Sequence, residues 1–163
     1  MFIEETKQWL IDFVLHHNLC PFAHHPHQQN KIRYHLSKAK VTEEQIEEFL
    51  GEILALENQE AQTTLIIYPT HFPMFLEYLD FFELLEDILE DTGWDETYQL
   101  ASFHPNYQFA DSDYEDPANA TNRSPFPMVH LLRRADVRQA IENHPDTLNI
   151  AQRNIELLRS LNR

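Results

Sequence analysis

The chain alternates two kinds of apolar pattern along most of its length, and this alternation limits its fold more than any other feature. Over 4–17, Trp9, Leu10, Phe13 and Val14 recur at helical spacing, and Pro21 stops the helix near Asn18. Residues 31–36 switch to a period of two, with Ile32, Tyr34 and Leu36 on one side of a short strand. Thr42 and Gln45 then have capping-box spacing ahead of a second helix, whose predicted buried stripe is Ile46, Phe49, Leu50, Ile53 and Leu54. Residues 63–68 form a compact apolar run closed by Pro69 and read as a buried strand. From 73 to 90, Phe75, Leu76, Leu79, Phe82, Leu85 and Leu89 return to helical spacing and leave most of the acids on the opposite face. Strands are predicted at 97–103 and 127–132. Helices follow at 136–143 and 147–161, the second capped by Asp146 and burying Leu148, Ala151, Ile155 and Leu158. Strands separated by helices of this length favour right-handed crossovers. The expected fold is therefore α/β, one domain over 1–163 with a single small sheet of about four strands covered by helices, and α+β is the alternative.

A chain of 163 residues, 42% of them hydrophobic, can bury a self-sufficient core. Cys20 is its only cysteine, so no intrachain disulfide forms, and no apolar run is long enough to span a bilayer. Glu4, Glu5 and Asp12 interrupt the first apolar stretch, unlike a secretory signal, and a cytoplasmic location is expected. The net charge of -15 argues against nonspecific nucleic-acid binding or adhesion to an anionic membrane. That charge is uneven, because residues 1–122 hold 23 acids against 5 Lys or Arg, whereas 123–163 hold 4 acids against 7 Arg. The arginines either pair with the acidic half or face a ligand. Nothing in the pattern specifies an oligomeric state or names a cofactor.

Glycine occurs only at Gly51 and Gly93, which excludes a glycine-rich phosphate cradle and a dinucleotide fingerprint. H-E-x-x-H, paired P-C-x-x-C and G-x-S-x-G motifs are all missing, removing the commonest zinc-protease, deaminase and hydrolase templates. Asp111, Asp113 and Asp116 begin like a calcium loop, but Asp116 and Asn122 stand where that loop needs glycine and glutamate. They and Glu115 are expected to form a solvated acidic loop.

Two concentrations of reactive side chains remain. Around Cys20 stand His16, His17, His24, His25 and His27. Ala23 replaces the second cysteine of a redox pair, which excludes dithiol chemistry. Cys20 as a nucleophile, Cys20 with His24, His104 and His130 as zinc ligands, and Cys20 as a plain buried thiol beside solvated histidines all stay open. The second concentration spans 103–134, where His104, Tyr107, Asn122, Arg123, Ser124, His130 and Arg133 lie in or beside a long polar segment between two strands. A forked guanidinium from Arg123, an imidazole from His104 or His130, and the amide and hydroxyl groups of Asn122, Ser124 and Tyr107 are a fitting set for a small anionic molecule. Convergence at one sheet end requires the third and fourth strands to be neighbours. The competing reading of His130 is a satisfied core histidine, since it shares a strand face with Met128 and Leu132.

The runs NLCPFA over 18–23, His104-Pro105 with Tyr107 and Phe109, TNRSP over 121–125 leading to His130-Leu131-Leu132-Arg133, and His144-Pro145-Asp146 resemble an uncharacterised bacterial family catalogued as a domain of unknown function. The resemblance covers nearly the whole chain and implies a stand-alone bacterial protein. It brings no activity, cofactor or catalytic residue. The leading expectation is a small enzyme acting on an anionic small molecule, with Arg123 as anion clamp, His104 or His130 as the acid-base group and Cys20 as nucleophile. The alternatives are a zinc-binding protein and a noncatalytic binding protein, the latter including a basic partner for the acidic helix over 73–91.

Overall fold

A computed structural model describes residues 1–58, 61–143 and 149–162. The first helix, α1 (Phe2–Trp9), runs into a π-helical segment at Leu10–Leu15, and the chain reverses at Asn18, whose φ is 52°. Within the His-rich stretch, where the sequence pattern suggested only a loop, lies a short helix, α2 (His24–Gln28). There follow β1 (Ile32–Leu36), α3 (Thr42–Asn58), β2 (Thr63–Ile67), α4 (Phe75–Thr92), β3 (Tyr98–Phe103), β4 (Met128–Arg133), α5 (Arg134–Asn143) and α6 (Ile150–Leu161). The predicted cap Asp146 and the predicted core residue Leu148 lie outside the described residues.

The four strands form one sheet in the order β1-β2-β4-β3. β1 and β2 are parallel, whereas β4 runs antiparallel to both β2 and β3. The fold is thus α/β, with β1, β2 and β3 pointing one way and β4 inserted against them. β2 and β4 are central, so β2 is buried on both sides and its sequence is apolar or β-branched throughout.

One face of the sheet packs Ile66, Val129, Leu131 and Tyr98 against Phe49, Ile53 and Leu56 of α3 and Tyr78, Phe82, Leu85 and Leu89 of α4. The other face presents Leu65, Ile67 and Met128, with Ile32, Tyr34 and Leu36 of β1, to Ile3, Trp9 and Phe126. Beside it Leu10, Val14, Leu19 and Ala23 make a smaller cluster that Leu157 of α6 joins. No helix among the described residues is long and apolar enough to cross a membrane.

Three helical stripes are rotated from their predicted positions. Leu54, Leu76 and Ala151 are exposed, while Leu56, Tyr78, Phe81 and Asn154 turn inward. The capping box also shifts, because Glu44, not Gln45, reaches back to accept the Lys40 N–H at 2.7 Å, and Gln45 is buried. At the far end α4 stops at Gly93, whose φ of 76° is the left-handed cap that glycine adopts without strain.

Tyr78 is buried because its hydroxyl is satisfied twice. It donates to the Met128 carbonyl at 2.7 Å and accepts the Phe103 N–H at 2.9 Å, tying α4 to the adjoining ends of β3 and β4. Tyr78→Phe strands both main-chain groups, so urea unfolding is expected to show a loss of about 1–3 kcal/mol. A loss below about 0.5 kcal/mol would contradict this account.

Candidate functional site

β3 and β4 are neighbours, as convergence of the central residues requires, yet the side chains between them are committed to the loop itself. Arg123 donates through Nε to the Tyr107 carbonyl at 3.0 Å and through a terminal nitrogen to the Tyr114 carbonyl at 2.8 Å, while its guanidinium lies over the Tyr114 ring. The Asn122 amide donates to the Ser102 carbonyl, its own carbonyl accepts the His104 N–H, and Ser124 donates to the Phe126 carbonyl. Tyr107 and Ser102 share a hydroxyl hydrogen bond. Arg133 donates to the Leu56 carbonyl, lies over the Tyr98 ring and approaches Glu57 at 3.7 Å. Asp116 leaves the expected solvated acidic loop, capping the 3-10 helix at Pro117–Asn122 and receiving a forked pair of hydrogen bonds from Arg159 of α6. Those bonds hold its carboxyl down at about 2.

His104 and His130 lie on opposite sides of the sheet. His104 is fully buried beside Phe75 and Tyr78 of α4, where its Nδ1 accepts the Asn106 N–H at 3.0 Å and its Nε2 therefore donates to the Phe72 carbonyl at 2.8 Å. That second bond anchors a residue in the left-handed region, Phe72 with φ 57°. Burial lowers the His104 pKa, so the ring is neutral at pH 7.

His130 lies with Phe103 on the other face, and there it meets Cys20. Both line a small cavity of about 30 Å³ together with Trp9, Thr63 and Phe103. Thr63 donates its hydroxyl proton to the Leu131 carbonyl at 2.6 Å, so its oxygen accepts from His130 Nε2, also at 2.6 Å. Burial pushes the His130 pKa down to about 4 and the Cys20 thiol up, so at pH 7 both groups are neutral. A neutral thiol is a poor nucleophile. Trp9 adds a buried indole N–H with no hydrogen-bond partner among the described residues.

Cys20, His104 and Arg123 therefore share no pocket, since neither His104 nor Arg123 lines the Cys20 cavity. Nor do the four candidate zinc ligands gather, because His24 turns to Asn18 and His104 to Phe72. Among the described residues no group of three or more His, Cys, Asp or Glu side chains is arranged to hold a metal ion.

A second opening adjoins the same Cys20 loop at Pro21 and Phe22. A cleft of about 270 Å³ separates the turn carrying Phe22 and the adjoining α2, with His25, from α5, and is lined by Gln62 and by Asp136, Gln139 and Asn143 of α5. His25 is held from both sides, accepting the Gln29 amide N–H on Nε2 at 2.9 Å and facing the Gln62 carbonyl oxygen with Nδ1 at 3.3 Å. Both of its ring nitrogens are thus engaged. His25 had been expected in solvent, and it is exposed, but as part of this cleft.

A second cluster was not anticipated. On β1 the residues facing α3 are Arg33 and His35, and α3 offers Glu48 and Glu52 one turn apart. Arg33 donates to both oxygens of Glu52 at 2.9 and 3.2 Å, His35 Nδ1 lies 3.0 Å from the same carboxylate, and Thr64 adds a contact at 3.4 Å. Glu48 takes Ser37 and the Lys38 N–H and lies 3.5 Å from His35. Burial alone would raise the Glu52 pKa, but hydrogen bonds from His35 and Arg33 outweigh it and hold the carboxyl at about 2. The bond to Glu52 raises His35 correspondingly. The signal was present in the β1 alternation, since placing Ile32, Tyr34 and Leu36 on one face puts Arg33 and His35 together on the other.

Residues 1–163 match the family described as "Protein of unknown function (DUF1415)", and the chain belongs to that family. No curated protein and no solved structure matches it.

Proposed function

We propose that this DUF1415 protein binds a small polar molecule, without covalent chemistry, in the cleft between the Phe22 turn with α2 and the facing α5. The observation that carries the reading is the cleft itself. Its volume of about 270 Å³ is near the lower end of small-molecule sites, roughly 300–1,000 Å³. It joins an apolar wall, Phe22 with Pro21 and Pro26, to hydrogen-bonding groups from Gln62, Asp136, Gln139 and Asn143. Apolar walls with a few convergent polar groups are the usual make-up of such sites. Among the described residues its lining contains no serine, threonine or cysteine, which favours binding over acyl transfer through a hydroxyl or thiol. An anionic ligand at Arg123 has less support, because that guanidinium is used by the Tyr107 and Tyr114 carbonyls. A cytoplasmic setting suits the single free thiol of Cys20.

Ala140 lines the cleft from α5, a helix with no buried residue, so Ala140→Trp fills the space without disturbing the core. In a thermal-shift panel of cationic, neutral and anionic metabolites at millimolar concentration, at least one class is expected to raise the wild-type Tm by more than about 1 °C through ligand linkage, and none that of Ala140→Trp. A panel without any shift, or shifts that persist in the variant, would overturn the proposal.

A further inference from the structure

The charge balance inside the cleft narrows the ligand class, an inference that rests on the cleft being the binding site. Among the described residues Asp136 is the only carboxylate lining the cleft, and no lysine or arginine lines it. The remaining polar groups are the primary amides of Gln62, Gln139 and Asn143, each with a carbonyl oxygen to offer. Gln62 spends part of its acceptor capacity on His25, whereas Gln139 and Asn143 have no other side-chain partner among the described residues. A carboxylate can only accept, so with the amide oxygens it suits a ligand that donates several N–H bonds and carries positive charge. Phe22 and the two prolines beside it present carbon surface, which suits an aliphatic spacer and, at the ring face, a cation. The protein's net charge of -15 attracts such a ligand and repels the anions first expected from the arginines.

We propose that the cleft takes a small aliphatic organic cation, an amine or guanidine with a short carbon spacer, whose charged end pairs with Asp136 and whose N–H groups meet the carboxamides of Gln139 and Asn143. Binding is geometric as well as electrostatic, so it differs from loose adhesion of a polycation to the acidic face of α4.

Isothermal titration of the full chain with putrescine and agmatine, against uncharged 1,4-butanediol and anionic succinate, tests the assignment. A cation is expected to bind at least about tenfold more tightly than the diol, with succinate weaker still. Asp136→Asn should remove most of that preference, and Ala140→Trp, which keeps the net charge, should abolish binding. If Asp136→Asn unfolds, the salt dependence of the wild type decides, since a cation preference that does not weaken with salt contradicts a carboxylate partner. Cation binding that survives in Ala140→Trp belongs to the acidic surface and overturns the proposal. Binding of the diol or succinate that is lost in Ala140→Trp would overturn the cation class while leaving the cleft as the binding site. Absence of binding by all four probes also overturns the class, and the wider metabolite panel then decides the cleft separately.

Discussion

Glu52→Gln is expected to destabilise the protein by about 2–4 kcal/mol, measured as a lower urea midpoint with an unchanged slope. The Glu52 side chain is only 6% exposed and holds Arg33 and His35 at once. Removing one member of a buried ion pair costs roughly 3–5 kcal/mol, because the remaining charge keeps its desolvation without its partner. The loss here extends below that range, since Arg33 retains 33% exposure and water can reach it. The pH dependence carries a second signature. The lowered Glu52 pKa contributes stability that is complete above the ordinary carboxylate value of 4.5 and is lost as pH falls through about 2. The raised His35 pKa contributes stability that is complete below 6.5 and is lost as pH rises through its elevated folded value. The cluster is therefore strongest between those two limits, and Glu52→Gln should do most damage there. The double variant Arg33→Met, Glu52→Leu should cost less than Glu52→Gln alone, because it removes the Arg33 charge together with the carboxylate that pairs with it. Equal or greater loss in the double variant would show that packing, not the ion pair, governs this corner.

The order of the longer elements was legible because each carries its own period, and β2 was marked by a compact, largely β-branched run closed by Pro69. The faces of the helices were less legible. In α4 the stripe drawn through Leu76 missed Tyr78, whose burial depends on the Met128 carbonyl and the Phe103 N–H, groups that every residue has and no residue type reveals. The same blindness explains the central loop. Its density of Asn, Ser, Thr and Arg resembles a binding site, but a long connection with little regular structure has to satisfy its own main chain. Arg123, Asn122 and Ser124 do so by donating to carbonyls. The cleft was invisible for a different reason. Its polar groups come from Gln62 at the start of β2, His25 on α2 and Asp136 to Asn143 on α5, and only tertiary packing brings them together.

His130 supplies the other large effect, an acid limb of stability between pH 6.5 and about 4. Its pKa is pushed down to about 4 by burial, so folding favours the neutral ring, and that contribution is whole above 6.5 and lost as pH falls through the folded value. A shift from 6.5 to about 4 corresponds to about 3 kcal/mol of differential stability once the pH is below both values. The geometry supports this sign. Nε2 already donates to Thr63, whose proton is committed to the Leu131 carbonyl, so a second proton would place a charge beside Trp9, Phe103 and the protonated Cys20 thiol, with no carboxylate among the described residues that line the cavity. His104, also lowered by burial, adds to the same limb, whereas the His35 contribution is already complete below 6.5 and leaves the limb unchanged. His130→Gln separates the contributions, because glutamine can still donate to Thr63 but does not titrate. The variant should lose some stability at pH 7 through imperfect packing, yet lose much less than the wild type when the urea midpoint is followed from pH 7 to pH 4.5. A variant whose midpoint falls as steeply as that of the wild type would mean that the acid limb arises elsewhere, and His104→Gln would then be expected to flatten it instead.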